Sequence, residues 1–350
     1  MARERIISGE SAGPAAEEET NVALRPRTLD EVVGQPQLIS ALRIAMTAAR
    51  QRREPLEHIL LDGPPGLGKT TLAHVIANEM GAGSRLRVTS GPAILKQADL
   101  MSTLTNLEEG DILFIDEVHR LSKVVEEFLY PAMEDFRVDF TLEGGIGGRT
   151  VSFRLKRFTL IGATTRAGLL TGAMRDRFGL RFHLDFYAPD ELTEIVRRSA
   201  RRLELAADDG SLELIAARSR GTPRVANRLL RRIRDYAQVC GDGRLTPAVV
   251  EKGLEVQQID TLGLDELDRA FLHALVHVYH GGPAGIEALA ATMGQERDTL
   301  EDVVEPYLLQ IGFVTRTRQG RCATRAAYAH LGLTPPTEPP SADASPTLFG

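Results

Sequence analysis

Tryptophan is absent from this chain, and aromatic residues make up only 5% of it, so its cores must be built from aliphatic side chains. The only cysteines are Cys240 and Cys322, far apart and without metal-ligand spacing. That excludes a disulfide framework and fits the reducing cytosol. No apolar run approaches the ~20 residues that would span a bilayer, and the start lacks the apolar core of a signal peptide. No membrane partner is therefore expected. The net charge of −6 does not suggest a protein coated in nucleic acid, so any nucleic-acid surface must be a local patch. What the chain does have is length. At 350 residues with 43% hydrophobic content, there is room for about two or three domains with sizeable cores.

Residues 1–20 are small and polar and read as a disordered tail. Residues 21–187 follow as an α/β domain, where apolar runs such as Ile59-Leu60-Leu61, Ile112–Ile115 and Phe158–Ala163 alternate with helical patterns. That alternation predicts a parallel sheet covered by helices. Within it, Phe136–Phe140 and Val151–Leu155 alternate with period two around a glycine-rich joint at 144–148, predicting a projecting β-hairpin over 136–155. Residues 188–256 carry helical patterns and no strand-like run, which suits a small all-helical domain. Residues 257–335 hold short helices and then two short strand-like runs about a polar turn, the pattern of a winged helix. Residues 336–350, rich in proline and serine, read as a second disordered tail.

The most informative stretch is Gly63-Pro-Pro-Gly-Leu-Gly-Lys-Thr70. An apolar strand precedes it and a helical pattern follows, the context a phosphate-binding loop requires. Its glycines let backbone N–H groups curl around phosphate oxygens, and the helix N-terminus adds partial positive charge. Lys69 can reach the β and γ phosphates, and the Thr70 hydroxyl can hold Mg²⁺. Downstream, Asp111–Glu117 is a hydrophobic strand ending in two acids. Asp116 can hold Mg²⁺ through water, and Glu117 can act as general base on the attacking water. Thr164 and Thr165 end the strand from Phe158, where a γ-phosphate or lytic water could be sensed, because ligands in parallel sheets sit beyond the carboxyl ends of the strands.

Two arginine sites complete the pattern. Arg175 or Arg177, supplied to a neighbouring subunit, could stabilise charge on the transferring phosphoryl group. Thr222-Pro223 predicts a helix start that aims Arg224 at the nucleotide. Arg228, Arg231, Arg232 and Arg234 read as a solvated helix face. The stretch from Pro306 to Leu333 is different. It carries Arg316, Arg318, Arg321 and Arg325 and no acid, next to an acidic region from Gln257 to Glu305. A basic wing of this kind suits contact with the phosphate backbone rather than base reading.

Taken together, the chain resembles the RuvB family of AAA+ ATPases, over roughly residues 21 to 335. The strings that carry the resemblance are Val33–Gln37, Gly63–Thr71, Leu113–Leu121, Leu129–Asp135, Gly162–Gly168, Gly221–Arg224, Gly294–Thr299 and Glu305–Leu308. The resemblance implies an ATP-driven motor of Holliday-junction branch migration, with ATP and Mg²⁺ as ligands. It also implies a homohexameric ring around duplex DNA, RuvA as partner at the junction, and room for a RuvC-type resolvase. By matching position, Leu24 and Arg25 would touch the adenine side, and Gly66, Gly68, Lys69, Thr70 and Thr71 would hold the phosphates. Glu134, Asp135, Phe136 and Tyr187 would lie near the nucleotide. Arg177 fits the arginine finger, with Arg175 second, and Arg224 fits the sensor of the helical lid. Thr165, Asp116 and Glu117 keep their catalytic roles, with Thr70 and Asp116 on the metal. Arg316 and Arg321, with Arg297 as a further candidate, fit DNA contacts. The hairpin over 136–155 would dock RuvA.

Two other functions compete with a DNA motor. A protein unfoldase usually places an aromatic pore loop between the phosphate-loop helix and the acidic strand, yet Ser90–Leu104 contains no aromatic residue. A nucleotide-switched loader or initiator would use hydrolysis to release a partner.

Overall fold

The computed structural model describes residues 23–81, 84–142 and 149–335. Both expected tails, the acidic run at Glu17–Glu19 and the glycine-rich hairpin joint lie outside these residues. The chain divides into two compact units after Ala206, with Pro64–Gly66 grouping with the second.

The first unit is built on a five-stranded sheet. β1 (Ile59–Asp62), β2 (Leu86–Ser90), β3 (Ile112–Asp116), β6 (Thr159–Thr164) and β7 (Leu180–His183) lie in the order β2-β3-β6-β1-β7. Every pairing is parallel. The three central strands are the continuous apolar runs of the sequence and are buried along almost their whole length, as expected for strands covered on both faces. The edge strands β2 and β7 are only partly buried and alternate in character, which is why no apolar run announces them. Covering helices complete the core. The helix Lys69–Met80 buries Leu72, Val75 and Ile76. The helix Lys123–Glu134 starts on Ser122, whose hydroxyl accepts from Val125 N–H, and it buries Phe128, Leu129 and Met133. Phe128, Leu129 and Met133 join Leu100, Leu104, Leu113 and Leu160 in a mostly aliphatic cluster.

The expected hairpin is present as β4 (Arg137–Leu142) and β5 (Arg149–Arg154), antiparallel with Arg137 opposite Arg154. It starts one residue later than the period-two pattern suggests. Phe136 is left-handed (φ 51°) and turns its ring inward, edge-on to Phe158 with centroids 5.8 Å apart. The sequence changes character at Ala188, yet the helix Pro189–Arg202 belongs to the first unit. Arg198 donates to the Glu31 carbonyl and Arg202 to that of Arg25, both at about 2.7 to 2.8 Å. These bonds tie the segment that carries Leu24 and Arg25 to that helix.

In the second unit, the helices Asp209–Ala217, Pro223–Cys240 and Pro247–Val256 form an all-helical group. A winged helix follows. It comprises Glu266–His273, Ile286–Met293 and Glu305–Gln310, then β8 (Val314–Arg316) paired antiparallel with β9 (Arg321–Ala323). Its core gathers Phe271, Leu275, Leu289, Leu300, Leu308 and Phe313. Among the described residues, no helix is long and apolar enough to cross a membrane.

Candidate active site and nucleic-acid interface

The sheet order places β6 between β1 and β3, so three loops leave the same edge side by side. These are Gly63–Gly68 after β1, Glu117 after β3 and Thr165 after β6. The register sets Asp62 opposite Thr164. The loop after β1 depends on glycine at two points. Gly63 has φ +135°, and a Cβ there would lie 2.5 Å from the Leu184 carbonyl oxygen. Gly68, with φ 98°, opens the helix Lys69–Met80. A Cβ there would meet Thr71 and Tyr187 only at van der Waals distance, 3.9 and 4.0 Å, so the positive φ rather than crowding favours glycine. Lys69 is only 7% exposed, and its Nζ donates to the Gly63 carbonyl at 2.7 Å. That bond curls the loop around its own lysine. Thr70 and Thr71 are half-buried on the first helical turn. Tyr187 is buried and donates from its hydroxyl to the Leu67 carbonyl. Burial, aided by the nearby Glu191 carboxylate, pushes its phenol up to about 12, so it stays a neutral donor.

A metal fits this edge by the chemistry of its donors. The Thr70 hydroxyl and the Asp116 carboxylate are hard oxygen ligands of the kind Mg²⁺ takes, and Asp116 Oδ1 is oriented by the Glu117 N–H at 2.9 Å. Glu117 occupies left-handed backbone, φ 50° and ψ 44°, which is unusual for a residue with a side chain. Its carboxylate pairs with Arg120 at 3.1 Å, a partner the sequence did not bring forward. Thr164 and Thr165 separate. Thr164 is 1% exposed, accepts from Arg166 N–H and bonds His119 Nδ1 at 2.9 Å. Thr165 is half-exposed. Thr164 is the last residue of β6, a strand buried along its whole length, whereas Thr165 lies just past the strand end. His119 was part of a recognisable string, but its bond to Thr164 spans 45 residues and needs the fold.

The two candidate fingers also separate. Arg175 is exposed on the short helix Gly172–Asp176. Arg177 is held within its own chain by three contacts. It donates to the Ala173 carbonyl at 2.7 Å, pairs with Glu134 at 3.1 Å, and lies 4.1 Å from the centre of the Tyr130 ring. Its Nε is buried without a hydrogen-bond partner. Tyr130 and Thr171 both bond Glu126 beneath it, which fixes the ring. Glu134 and Asp135 are exposed, whereas the Phe136 ring faces the core. In the second unit, Thr222 caps the helix that carries Arg224, with Pro223 in its first turn, as expected. The Arg224 N–H donates to the Gly66 carbonyl at 3.2 Å.

The wing stretch Pro306–Leu333 has no acid of its own, but Glu305, one residue before it, lies beneath it fully buried. Glu305 accepts a two-point fork from Arg316 at 2.7 Å for each bond, and bonds from Arg321 at 2.8 and 3.1 Å. Burial alone would push the Glu305 carboxyl up. The two guanidinium groups outweigh that and hold it below its usual range. Arg321 also pairs with Glu301, and only 14% of its side chain is exposed. Arg297 pairs with Glu287 and Glu301. Arg318 and Arg325 are exposed. Arg316, 54% exposed, Arg318 and Arg325 are therefore more open to solvent than Arg321.

An expected outcome follows from the loop. Lys69→Ala should weaken nucleotide binding about 10- to 100-fold, the worth of a lost charge-assisted contact. Titration with a fluorescent nucleotide measures it, and an unchanged affinity would remove Lys69 from the phosphate site.

Comparison with known proteins agrees with this architecture along the chain. Residues 24–184 match the family described as the Holliday junction DNA helicase RuvB P-loop domain. Residues 187–260 match the RuvB AAA lid domain, and residues 261–332 the RuvB C-terminal winged helix domain. The chain is 53% identical over 330 residues to the Holliday junction branch migration complex subunit RuvB of Kosmotoga olearia, covering 94% of this chain and 95% of that protein. The solved structure of the Thermotoga maritima RuvB Holliday junction branch migration motor superposes with a TM-score of 0.82 at 50% identity. It covers 90% of this chain and all of that one. A variant of the same T. maritima protein gives a TM-score of 0.84 at 50% identity, covering 89% of this chain and 99% of that one. With the parallel-sheet domain, the helical domain and the winged helix all matched in order, this chain belongs to the RuvB family.

Proposed function

We infer that this chain is the ATP-driven motor of Holliday-junction branch migration, acting as a ring with RuvA. The observation that carries the reading is the order β3-β6-β1, which sets the phosphate loop, Asp116-Glu117 and Thr165 on one edge. Phosphoryl transfer asks mainly for positioning and electrostatic stabilisation, and this edge supplies both. Lys69 and the loop N–H groups hold the β and γ phosphates. Leu24, Arg25 and Tyr187 border the base side. Thr70 and Asp116 would hold Mg²⁺, which would supply charge neutralisation at the phosphate oxygens. Glu117 takes a proton from the attacking water, and Thr165 orients that water. For this, Glu117 must turn from Arg120 toward the water, a small rotation for a half-exposed side chain.

Arg177 acts on the nucleotide of the neighbouring subunit. Its ion pair with Glu134 places both side chains on one surface, so they reach that neighbour together. Arg224 reports the state of the nucleotide to the lid. A finger supplied in trans calls for a neighbouring subunit, and the RuvB resemblance implies that the subunits form a homohexameric ring around duplex DNA. The hairpin over 136–155 docks RuvA, with Phe153 offering an exposed apolar side chain. A RuvC-type resolvase would act on the same junction, and the complex would work in the cytoplasm. The names of the relatives, a branch migration complex subunit and a branch migration motor, support this reading over a loader or an unfoldase.

The deciding experiment is ATP-dependent dissociation of a synthetic four-way junction, with and without RuvA. A switch that only releases a partner would bind the junction and leave it intact.

The buried wing network makes a second measurement informative. Arg318→Ala should weaken duplex binding alike for all sequences and lower its salt dependence by about one counterion, at unchanged stability. Arg321→Ala should also lower the melting temperature of the winged helix, because it strips Glu305 of a partner. Altered sequence preference in either variant would sink the backbone-contact reading.

A further inference from the structure

Arg220 lies two residues before the capped start of the Arg224 helix, and nothing above assigns it a role. Its backbone is left-handed, φ 54°, and its side chain is 7% exposed. One guanidinium nitrogen lies 2.8 Å from Asp268 and 3.4 Å from Asp265. The other donates to the Val303 carbonyl at 2.9 Å, and the group sits 5.1 Å from the centre of the Tyr307 ring. Its four partners come from separate pieces of the winged helix. Asp265 and Asp268 cap each other at the start of the helix Glu266–His273. Val303 is in the wide helical turn Leu300–Val304. Tyr307 is on the helix Glu305–Gln310, whose Glu305 grips the wing arginines.

The surroundings reinforce the joint. Arg218 donates to the Thr261 carbonyl, and Tyr307 donates to that of Leu262 at 2.7 Å. Gly263 passes so close to the Arg218 carbonyl that a Cβ there would lie 2.5 Å from its oxygen. Burying a guanidinium among carboxylates is a poor way to gain stability, since apolar replacements are often as stable. It is a good way to fix an angle, because a planar fork accepts partners only along set directions. Apolar surfaces, by contrast, slide. Burial pushes the Asp268 carboxyl up to about 7, and Arg220 is the largest influence pulling it back down.

We propose that Arg220 is the positioning residue that locks the helical lid to the winged helix as one rigid lever, so that a shift at Arg224 is delivered undamped to the DNA-facing wing. The lever's use in DNA movement rests on the motor reading. Its rigidity does not.

The test is a distance measurement by pulsed electron paramagnetic resonance on the full chain, carrying Cys322→Ser. Spin labels go on the exposed native Cys240 of the lid and on Val278→Cys of the winged helix, a position 55% exposed. Labelled chain is diluted into unlabelled chain. The expected result is one narrow distance, identical without nucleotide, with ADP and with a slowly hydrolysed ATP analogue. Arg220→Met should broaden it, and Arg220→Lys, which keeps a charge near Asp268 but loses the fork, should fall between. A second pair within the lid, Cys240 with Lys252→Cys, should stay narrow in every variant. If that control broadens in Arg220→Met, Asp268→Asn takes its place. Asp268→Asn keeps an acceptor for the Asp265 N–H while removing the charge, and it must broaden the lid-to-wing distance for the proposal to stand. In junction assays, Arg220→Met should retain basal ATPase and duplex binding while branch migration falls about tenfold, within the usual range of coupling effects. A wild-type distance that moves with nucleotide, or an Arg220→Met distribution as narrow as wild type, overturns the lever. Absence of ATP-dependent junction dissociation by the wild-type chain overturns the motor instead, so the two failures are distinguishable.

Discussion

Glu117→Gln should bind ATP as tightly as the parent chain and hydrolyse it about 10² to 10⁴ times more slowly, the usual worth of a general base. That range corresponds to about 3 to 5 kcal/mol of lost transition-state stabilisation. Binding should survive because the groups that hold phosphate, Lys69 and the loop N–H groups, do not involve the Glu117 carboxylate. The amide is isosteric, so the left-handed turn and the Asp116 bond to the Glu117 N–H should persist. The substitution also removes the ion pair with Arg120, but both side chains are about half exposed, 52% and 43%. Exposed pairs contribute little to stability, so any large effect belongs to chemistry. Steady-state ATPase and nucleotide titration separate the two outcomes. Full turnover in Glu117→Gln would mean that another group takes the proton.

Arg177→Ala should cost about 10³ to 10⁵ in ATPase rate, the contribution of an arginine finger. The distinguishing result comes from mixing. A ring containing both Arg177→Ala and Glu117→Gln subunits should regain activity, because a Glu117→Gln neighbour still offers an intact Arg177 to a subunit with an intact base. No recovery in mixed rings would argue that Arg177 acts within its own chain. The structure gives a reason to take that alternative seriously, since Arg177 is held by its own Glu134 and Ala173 and stacked on its own Tyr130. The Arg177 Nε is buried and makes no hydrogen bond. Arg175→Ala is the internal comparison. That side chain is exposed and should lose far less if Arg177 is the finger.

Some of this could be read directly from residues. The phosphate loop, the acidic end of β3 and the Thr222-Pro223 helix start are local patterns. Their conformations follow from turn glycines, strand periodicity and capping hydroxyls within a few residues, and the structure has each where the pattern sets it. The edge strands β2 and β7 were not legible, because a strand packed on fewer sides needs no continuous apolar run. The inward turn of the Phe136 ring was not legible either, because it depends on Phe158 and His58, which are distant in sequence.

By itself, then, the sequence determined which chemical groups this protein has and the local shape that presents them. Short-range backbone preferences are enough for that. Tertiary structure alone decided how they combine. It inserted β6 between β1 and β3, so that acid, hydroxyl and phosphate loop share an edge. It chose Thr164 for the interior through a bond to His119 and left Thr165 facing outward. It buried Glu305 under a wing whose own residues contain no acid. Each of those outcomes depends on side chains distant in sequence meeting in a low-dielectric interior, where an unpaired charge or hydroxyl is costly and a partner must be found.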